Sequence, residues 1–322
     1  MTPIMAKRTQ KAQPKGEMNL MKLMEQFGTD EKCRMLLEKL RWPEGVRCTR
    51  CQSDKISRIY KRNQFVCDAC DYQFSVTAGT IFHDSHMPLP KWFAAVYLMC
   101  ESRKGISANQ LKRTLNVAYQ TAWHLCHRIR KAVADADTSP LVGTVEVDET
   151  FIGGKAKNMH KADRARRIQG RGPSGKAMVL AAIQRGGGVR LRVEDRRDRE
   201  TLHAFIKGEI SPDAARIMTD EFEAYKGIED ENTTHETVNH SKDEYVRGDV
   251  HTNTAEGVFS LFKRSLVGAY HQVSVKHLDR YLDEFSFRFD NRNNPYLFRD
   301  TLLRLISSEN LEYKELVKDE AA

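Results

Sequence analysis

Two sets of side chains in this sequence have types and spacing suited to metal chemistry. Cys48-Thr49-Arg50-Cys51 and Cys67-Asp68-Ala69-Cys70 form two C-x-x-C pairs with 15 residues between them, a spacing that gathers four thiolates around one tetrahedral Zn²⁺. Between the pairs, residues 56–60 and 64–66 read as the hairpin of a zinc ribbon, and Tyr72 and Phe74 continue the second strand. So small a unit has too little apolar core to fold without its metal. Redox use is disfavoured, because redox C-x-x-C pairs occur singly on a thioredoxin-like βαβ unit and none is visible here. Cys33, Cys100 and Cys126 lie in apolar helical surroundings and read as core residues, and a four-cysteine site has no need of His83 or His86.

The second set is acidic. Val145-Glu146-Val147-Asp148 alternates as a strand that ends in Asp148, with Glu146 on the same face. Ile217-Met218-Thr219-Asp220 repeats the geometry, and Glu256 follows on a helix with 35 residues between it and Asp220. Two strand-borne aspartates and one helix-borne glutamate are the hard, rigidly held oxygen ligands that a pair of Mg²⁺ ions about 3.5–4 Å apart requires for phosphoryl transfer. In a chain with 44 acids, each alone reads equally well as an exposed carboxylate at the end of an element. The helix adds context: Lys263 lies two turns after Glu256 on the same face, where a cation would meet a phosphate beside the metals.

The elements that must position these groups follow from periodicity. Residues 1–19 form a basic tail, and residues 20–41 read as one or two helices ended by Trp42-Pro43. The zinc-ribbon region with these leading helices spans 20–82. A helical unit follows at 88–136, in which 106–115 and 118–129 are amphipathic and separated by Asn116-Val117, as in a helix-turn-helix, with Arg128, Arg130 and Lys131 near its end as candidate DNA contacts. After a polar linker, residues 143–310 change character. Strands are expected at 144–147, 177–183, 189–193, 215–218 and 235–239, a helix at 199–210, and long amphipathic helices from Thr254 onward. The expected fold class is therefore α/β, a mixed sheet flanked by helices.

Composition narrows the partners. The chain of 322 residues carries 52 Lys+Arg against 44 Asp+Glu, a net charge of +8 that favours an anionic partner such as nucleic acid. The excess is concentrated in residues 1–16 and 155–171, and the second run leaves directly from the Asp148 strand. No apolar stretch is long enough for a membrane span and no secretory signal is visible, so a cytoplasmic location is expected. Seven cysteines without an export signal argue for metal binding over disulfides.

At these residues the sequence resembles bacterial insertion-sequence transposases of the DDE superfamily that carry an N-terminal zinc ribbon, the ISXO-like group. The matching segments are 27–51, FSVTAGTIF at 74–82, VEVDETFIGGK at 145–155, TDEFEAY at 219–225, and 251–292 with HTNTAEGVFSLFKR. The resemblance implies a ribonuclease-H-like catalytic fold, Mg²⁺-dependent cleavage and joining of double-stranded DNA at inverted-repeat ends, and a homo-oligomer on DNA. It also implies Asp148 and Asp220 as the first two catalytic carboxylates and Lys263 as the basic residue after the third. Relatives carry either asparagine or glutamate at the third position, and this chain offers both Asn253 and Glu256. Glu256 is favoured by its offset to Lys263 and its charge, with Asn253 one turn earlier in an assisting place. A zinc-ribbon transcription regulator without catalysis is the alternative, but it leaves Asp148, Asp220 and Glu256 without a role. A nuclease that hydrolyses without joining would use the same acids.

Overall fold

The computed structural model describes residues 18–134, 139–154, 160–161, 175–214, 216–229, 233–238 and 248–318. The basic tail and nearly all of the basic run at 155–171 lie outside the described residues.

Helices α1 (Leu20–Phe27) and α2 (Asp30–Arg41) begin where Asn19 and Thr29 accept hydrogen bonds from the N–H groups of Lys22 and Lys32, satisfying donors that a helix start leaves open. The ribbon follows as β1 (Ile56–Ile59), β2 (Gln64–Cys67) and β3 (Gln73–Phe74), antiparallel throughout. Then come α3 (Leu89–Glu101), α4 (Ala108–Leu115) and α5 (Tyr119–Ala134). The second sheet comprises β4 (Thr144–Ile152), β5 (Ala177–Gln184), β6 (Val189–Glu194), β7 (Arg216–Asp220) and β8 (Thr234–Val238), with α6 (Arg199–Glu209) between β6 and β7. Helices α7 (Asn253–Ser265), α8 (Val275–Asp290), α9 (Leu297–Ser307) and α10 (Tyr313–Val317) complete the described chain.

Strand order in the five-stranded sheet is β6-β5-β4-β7-β8, with β4, β5 and β6 antiparallel and β7 and β8 parallel to β4. Three strands running up and down, followed by a helical crossover to two parallel ones, make the ribonuclease-H-like arrangement. The interior strand β5 is buried along nearly its whole length, which explains its unbroken apolar sequence. On one face Val145, Val147 and Leu180 pack on Leu202 and Phe205 of α6. On the other, Val179, Ala181 and Ile183 pack on α7 and α8 through Val258, Phe259, Phe262 and Leu282. Alternation along β4 therefore sends Glu146 and Asp148 toward α7, and Glu149 toward α6.

The remaining helices share one core. Phe298, Leu302 and Leu305 of α9 join Leu23, Leu37, Phe93 and Leu125, and Phe27, Phe93 and Phe298 meet ring to ring at 5.3–6.3 Å. The limits at 82, 88, 136 and 143 drawn from sequence thus separate residues that pack together. The leading helices sit on α3 and α9, and α9 returns from the sheet to the chain's beginning. The ribbon keeps a small core of its own, in which Trp42 lies edge-on to Phe65 and Phe74.

Helices α4 and α5 do form a helix-turn-helix pair, turned by Asn116 in the left-handed region at φ 49°. The basic residues near the end of α5 point inward, however. Arg128 donates to Asn310 Oδ1 at 2.6 Å, Lys131 to the Asn310 carbonyl at 2.7 Å, and Arg130 to Glu284 at 2.6 Å. Their charge is consumed by the fold, leaving Lys112, Arg113, Tyr119, Gln120 and Thr121 exposed at the opposite end of the pair. Glu284 of α8 accepts from Arg130, Arg288 and the Tyr270 hydroxyl in one buried cluster that joins α5 to α8. Removing one member of such a cluster leaves an uncompensated charge and costs about 3–5 kcal/mol.

His127 of α5 is fully buried against Trp123, His277 and Tyr281, and neither ring nitrogen has a hydrogen-bond partner among the described residues. Burial, reinforced by Arg130, His277, Arg280 and His124, pushes its imidazole from 6.5 down to about 2. The folded state thus holds His127 neutral while the unfolded chain protonates below about 6.5, so stability is full above that pH and falls as pH drops below it. His127→Phe should remove this loss. Urea unfolding at pH 7 and pH 5 should show a decrease smaller in the variant than in the parent by about 2 kcal/mol, and equal decreases would exclude the assignment.

Candidate functional site

The ribbon brings its four cysteines together from two turns. One sulfur of each of Cys48, Cys51, Cys67 and Cys70 lies within 4.8 Å of the others. Cys48 and Cys70 lie 3.7 Å apart, sulfur to sulfur, and Cys51 and Cys67 3.5 Å apart. Sulfurs bound about 2.3 Å from a tetrahedral Zn²⁺ sit about 3.8 Å apart, so the set fits that ion. The N–H groups of Arg50 and Cys51 point at the Cys48 sulfur at 3.4 and 3.5 Å, as suits a thiolate. Cys33, Cys100 and Cys126 belong with the helical core, as their surroundings in sequence suggest.

The acids converge where β7 ends at Asp220 beside the middle of β4, which runs on to Ile152 because residues 148–152 pair with β5, so Asp148 does not end its strand as its sequence suggests. Parallel pairing sets Glu146 opposite Met218, which places Asp148 and Asp220 side by side two residues further on. Carboxylate oxygens of Asp148, Glu149 and Asp220 lie within 4.8 Å of one another. Asp148 and Glu149 open into a cavity of about 570 Å³ that Glu256, Phe259, Ser260, Lys263, Arg264 and Val267 also line. Glu256 and Lys263 thus present one face of α7 to the Asp148 strand. Asn253, at the exposed start of α7, is not among the lining residues. Burial, then repulsion from Glu149, Asp220 and Glu256, pushes Asp148 from 3.8 up to about 7, against a lowering hydrogen bond from the Glu149 N–H at 2.8 Å.

Three residues of this cluster escaped sequence reasoning. Glu149 accepts from the Tyr225 hydroxyl at 2.7 Å through one oxygen and pairs with Arg197 through the other. Arg197 lies 3.7 Å from Asp220 Oδ2 and rests over the Phe222 ring at 3.7 Å. Buried Tyr225 is pushed well above 10, by burial first and Glu149 second. Tyr225 stands in the TDEFEAY segment, which is a usable signal. Arg197 follows a turn after β6 and nothing in its neighbours marks it.

Comparison with known proteins fits this geometry. A family model described as an ISXO2-like transposase domain matches residues 140–290, and a transposase zinc-ribbon domain matches residues 28–73. A protein of transposable element ISH50 from Halobacterium salinarum is 32% identical over 281 residues, covering 84% of this chain and 94% of that protein. The chain belongs to the ISXO2-like transposase family. Among solved structures, a pre-cleavage Mos1 transpososome matches over 70% of this chain and 77% of that one, at 11% identity and a TM-score of 0.26. A Mos1 paired-end complex with the left transposon end matches at 11% identity, the same coverage and a TM-score of 0.25. The fold assignment rests on the strand order above and not on these two.

As in other zinc ribbons, the metal of this transposase-family chain should be integral to the local fold. Metal analysis should find about one zinc per chain, and Cys67→Ala should abolish it. Stripping the ion with a chelator should change Trp42 fluorescence by opening its contacts with Phe65 and Phe74, while the melting of the five-stranded sheet stays in place. Full Trp42 packing in a zinc-free protein would show that the ribbon folds without metal.

Proposed function

We propose that this chain is a DNA transposase that binds the inverted-repeat ends of its insertion sequence and performs Mg²⁺-dependent cleavage and strand transfer. The observation that carries the reading is the convergence of Asp148, Glu149 and Asp220 where β7 ends beside the middle of β4, with Asp148 and Glu149 sharing one cavity with Glu256 and Lys263. Tyr225 and Arg197 offset part of the repulsion at Glu149 and Asp220, and a divalent cation would offset the part that remains at Asp148.

In this reading Asp148, Asp220 and Glu256 supply the hard oxygen ligands. Bound Mg²⁺ would supply Lewis-acid chemistry, activating water or a DNA 3′-hydroxyl and stabilising the leaving oxygen. Lys263, near the C-terminal end of α7, and its neighbour Arg264 meet the DNA phosphates at the cavity rim. Glu149 is engaged by Tyr225 and Arg197 and ties β4 to the end of β7. Asn253 keeps at most an assisting place. The family's DNA substrate implies double-stranded transposon ends and target as partners, gathered by a homo-oligomer. Among the described residues no helix is long and apolar enough to cross a membrane, in keeping with action on DNA in the cytoplasm.

A strand-transfer assay tests this with Mg²⁺, the DNA flanking the chain's own gene and an unrelated plasmid. Asp148→Asn and Glu256→Gln should each lower joined product on the order of 10²-fold or more while sparing binding of the DNA end. Asn253→Ala should retain most activity. Cleavage without joining by the parent would make the chain a nuclease, and DNA binding with neither would favour a regulator. Loss in Asn253→Ala alone would move the third ligand to Asn253.

A further inference from the structure

Helix α7 begins without a cap of its own. Thr252 occupies the N-cap position, yet its side chain makes no capping hydrogen bond. The open N–H groups of the first turn are satisfied from the sheet instead. Glu146, fully buried on β4, accepts from the Thr254 N–H at 2.8 Å, the Thr254 hydroxyl at 2.8 Å and the Ala255 N–H at 3.1 Å. A carboxylate here also meets the positive end of the helix dipole.

The same carboxylate is paired on its other side. Arg185, just past β5, donates to Glu146 Oε1 at 2.7 Å. It also donates to the Asp249 carbonyl at 2.7 Å and the His251 carbonyl at 3.1 Å, and lies 2.9 Å from His251 Nδ1. The segment leading into α7 and the first turn of α7 are thus both tied to one side chain. That side chain stands two residues before Asp148 on the same face of the same strand.

We propose that Glu146 is a positioning residue for the metal site, fixing α7 on β4 so that Glu256 faces the cavity that Asp148 lines. The inference rests on reading Glu256 as a ligand. A buried carboxylate with this many donors does more than fill space, because an apolar residue of similar size would pack there but leave Arg185 and two helix N–H groups unpaired. What it adds is registry: strand and helix can adopt only one offset that satisfies every donor. Outer partners of metal ligands commonly contribute about 10- to 100-fold to metal affinity or activity.

The test is a Mg²⁺ titration of strand transfer by full-length parent, Glu146→Gln, Thr254→Val and Glu256→Gln, with DNA-end binding and thermal melting measured alongside. Glu146→Gln keeps size but presents an N–H₂ group where an acceptor is needed. It should raise the Mg²⁺ concentration at half-maximal activity by about 10- to 100-fold, with activity largely recovered at saturating metal and DNA binding retained. Thr254→Val, which removes only the hydroxyl bond, should shift it a few-fold in the same direction. A merely structural role would lower the melting temperature and the active fraction at every metal concentration, leaving the half-saturation point in place, and that result in a folded variant overturns the proposal. If Glu146→Gln does not fold, an unmoved half-saturation point in Thr254→Val overturns it. An unmoved point in Glu256→Gln defeats the ligand reading itself, whereas a shift there without one in Glu146→Gln defeats only the positioning role.

Discussion

Like charges crowded where β7 ends beside the middle of β4 are the constraint around which the five-stranded half of this protein is arranged. Parallel pairing places Asp148 beside Asp220, and Glu149 reaches the same space from the other side of the strand. The fold neutralises some of this charge and leaves the rest. Glu149 is met by Tyr225 and Arg197 on the α6 side. Glu146 is met by Arg185 and the start of α7 on the opposite side. Asp148, helped among the described residues by the Glu149 N–H alone, is driven up to about 7 by burial and repulsion. Acids with internal partners thus frame one with little to offset its charge, and that contrast is what the proposed cation site builds on.

The helix that faces this cluster is held at both ends by buried carboxylates. Glu146 holds its start. Beyond its end, a π-type turn at Leu266–Tyr270 carries Tyr270, whose hydroxyl donates to Glu284 at 3.0 Å. Glu284 also receives Arg130 from α5, so the turn that follows α7 and the helix-turn-helix pair share one buried charge cluster. Movement of α5 on DNA would have to carry or break those bonds. Buried charges tolerate little displacement, since separation leaves each partner desolvated and unpaired. The helical unit and the sheet are therefore mechanically linked through side chains rather than by the backbone alone.

How much of this the sequence disclosed depends on whether each signal was local. The zinc ligands were legible because four thiolates at that spacing have few other uses. Asp148, Asp220 and the shared face of Glu256 and Lys263 were legible because strand and helix periodicity assign faces directly. Glu149 was not, since alternation sends it away from Asp148 and only the pairing of β7 beside β4 brings Asp220 to both. Arg197 approaches from a turn with no pattern to announce it. The inward course of Arg128 and Arg130 was hidden for a different reason: amphipathicity reports that a charge exists, not whether water, DNA or a buried glutamate will receive it. The return of α9 to the first helices is long-range packing, to which a window of neighbouring residues is blind.

The choice between Asn253 and Glu256 shows how far such local reasoning extends once the helix is in place. Asn253 is the first residue of α7, exposed and outside the cavity lining, at a position where helices fray. Glu256 lies one turn further in, its N–H bonded to the Thr252 carbonyl at 3.1 Å, behind the turn that Glu146 clamps. A ligand must hold its place against the pull of the cation and the repulsion of neighbouring acids. Rigidity increases along the helix from the clamped turn, and formal charge favours carboxylate over amide for Mg²⁺. Both considerations favour Glu256 in the proposed site, the first more decisively, because an amide oxygen in a rigid site can also bind the ion.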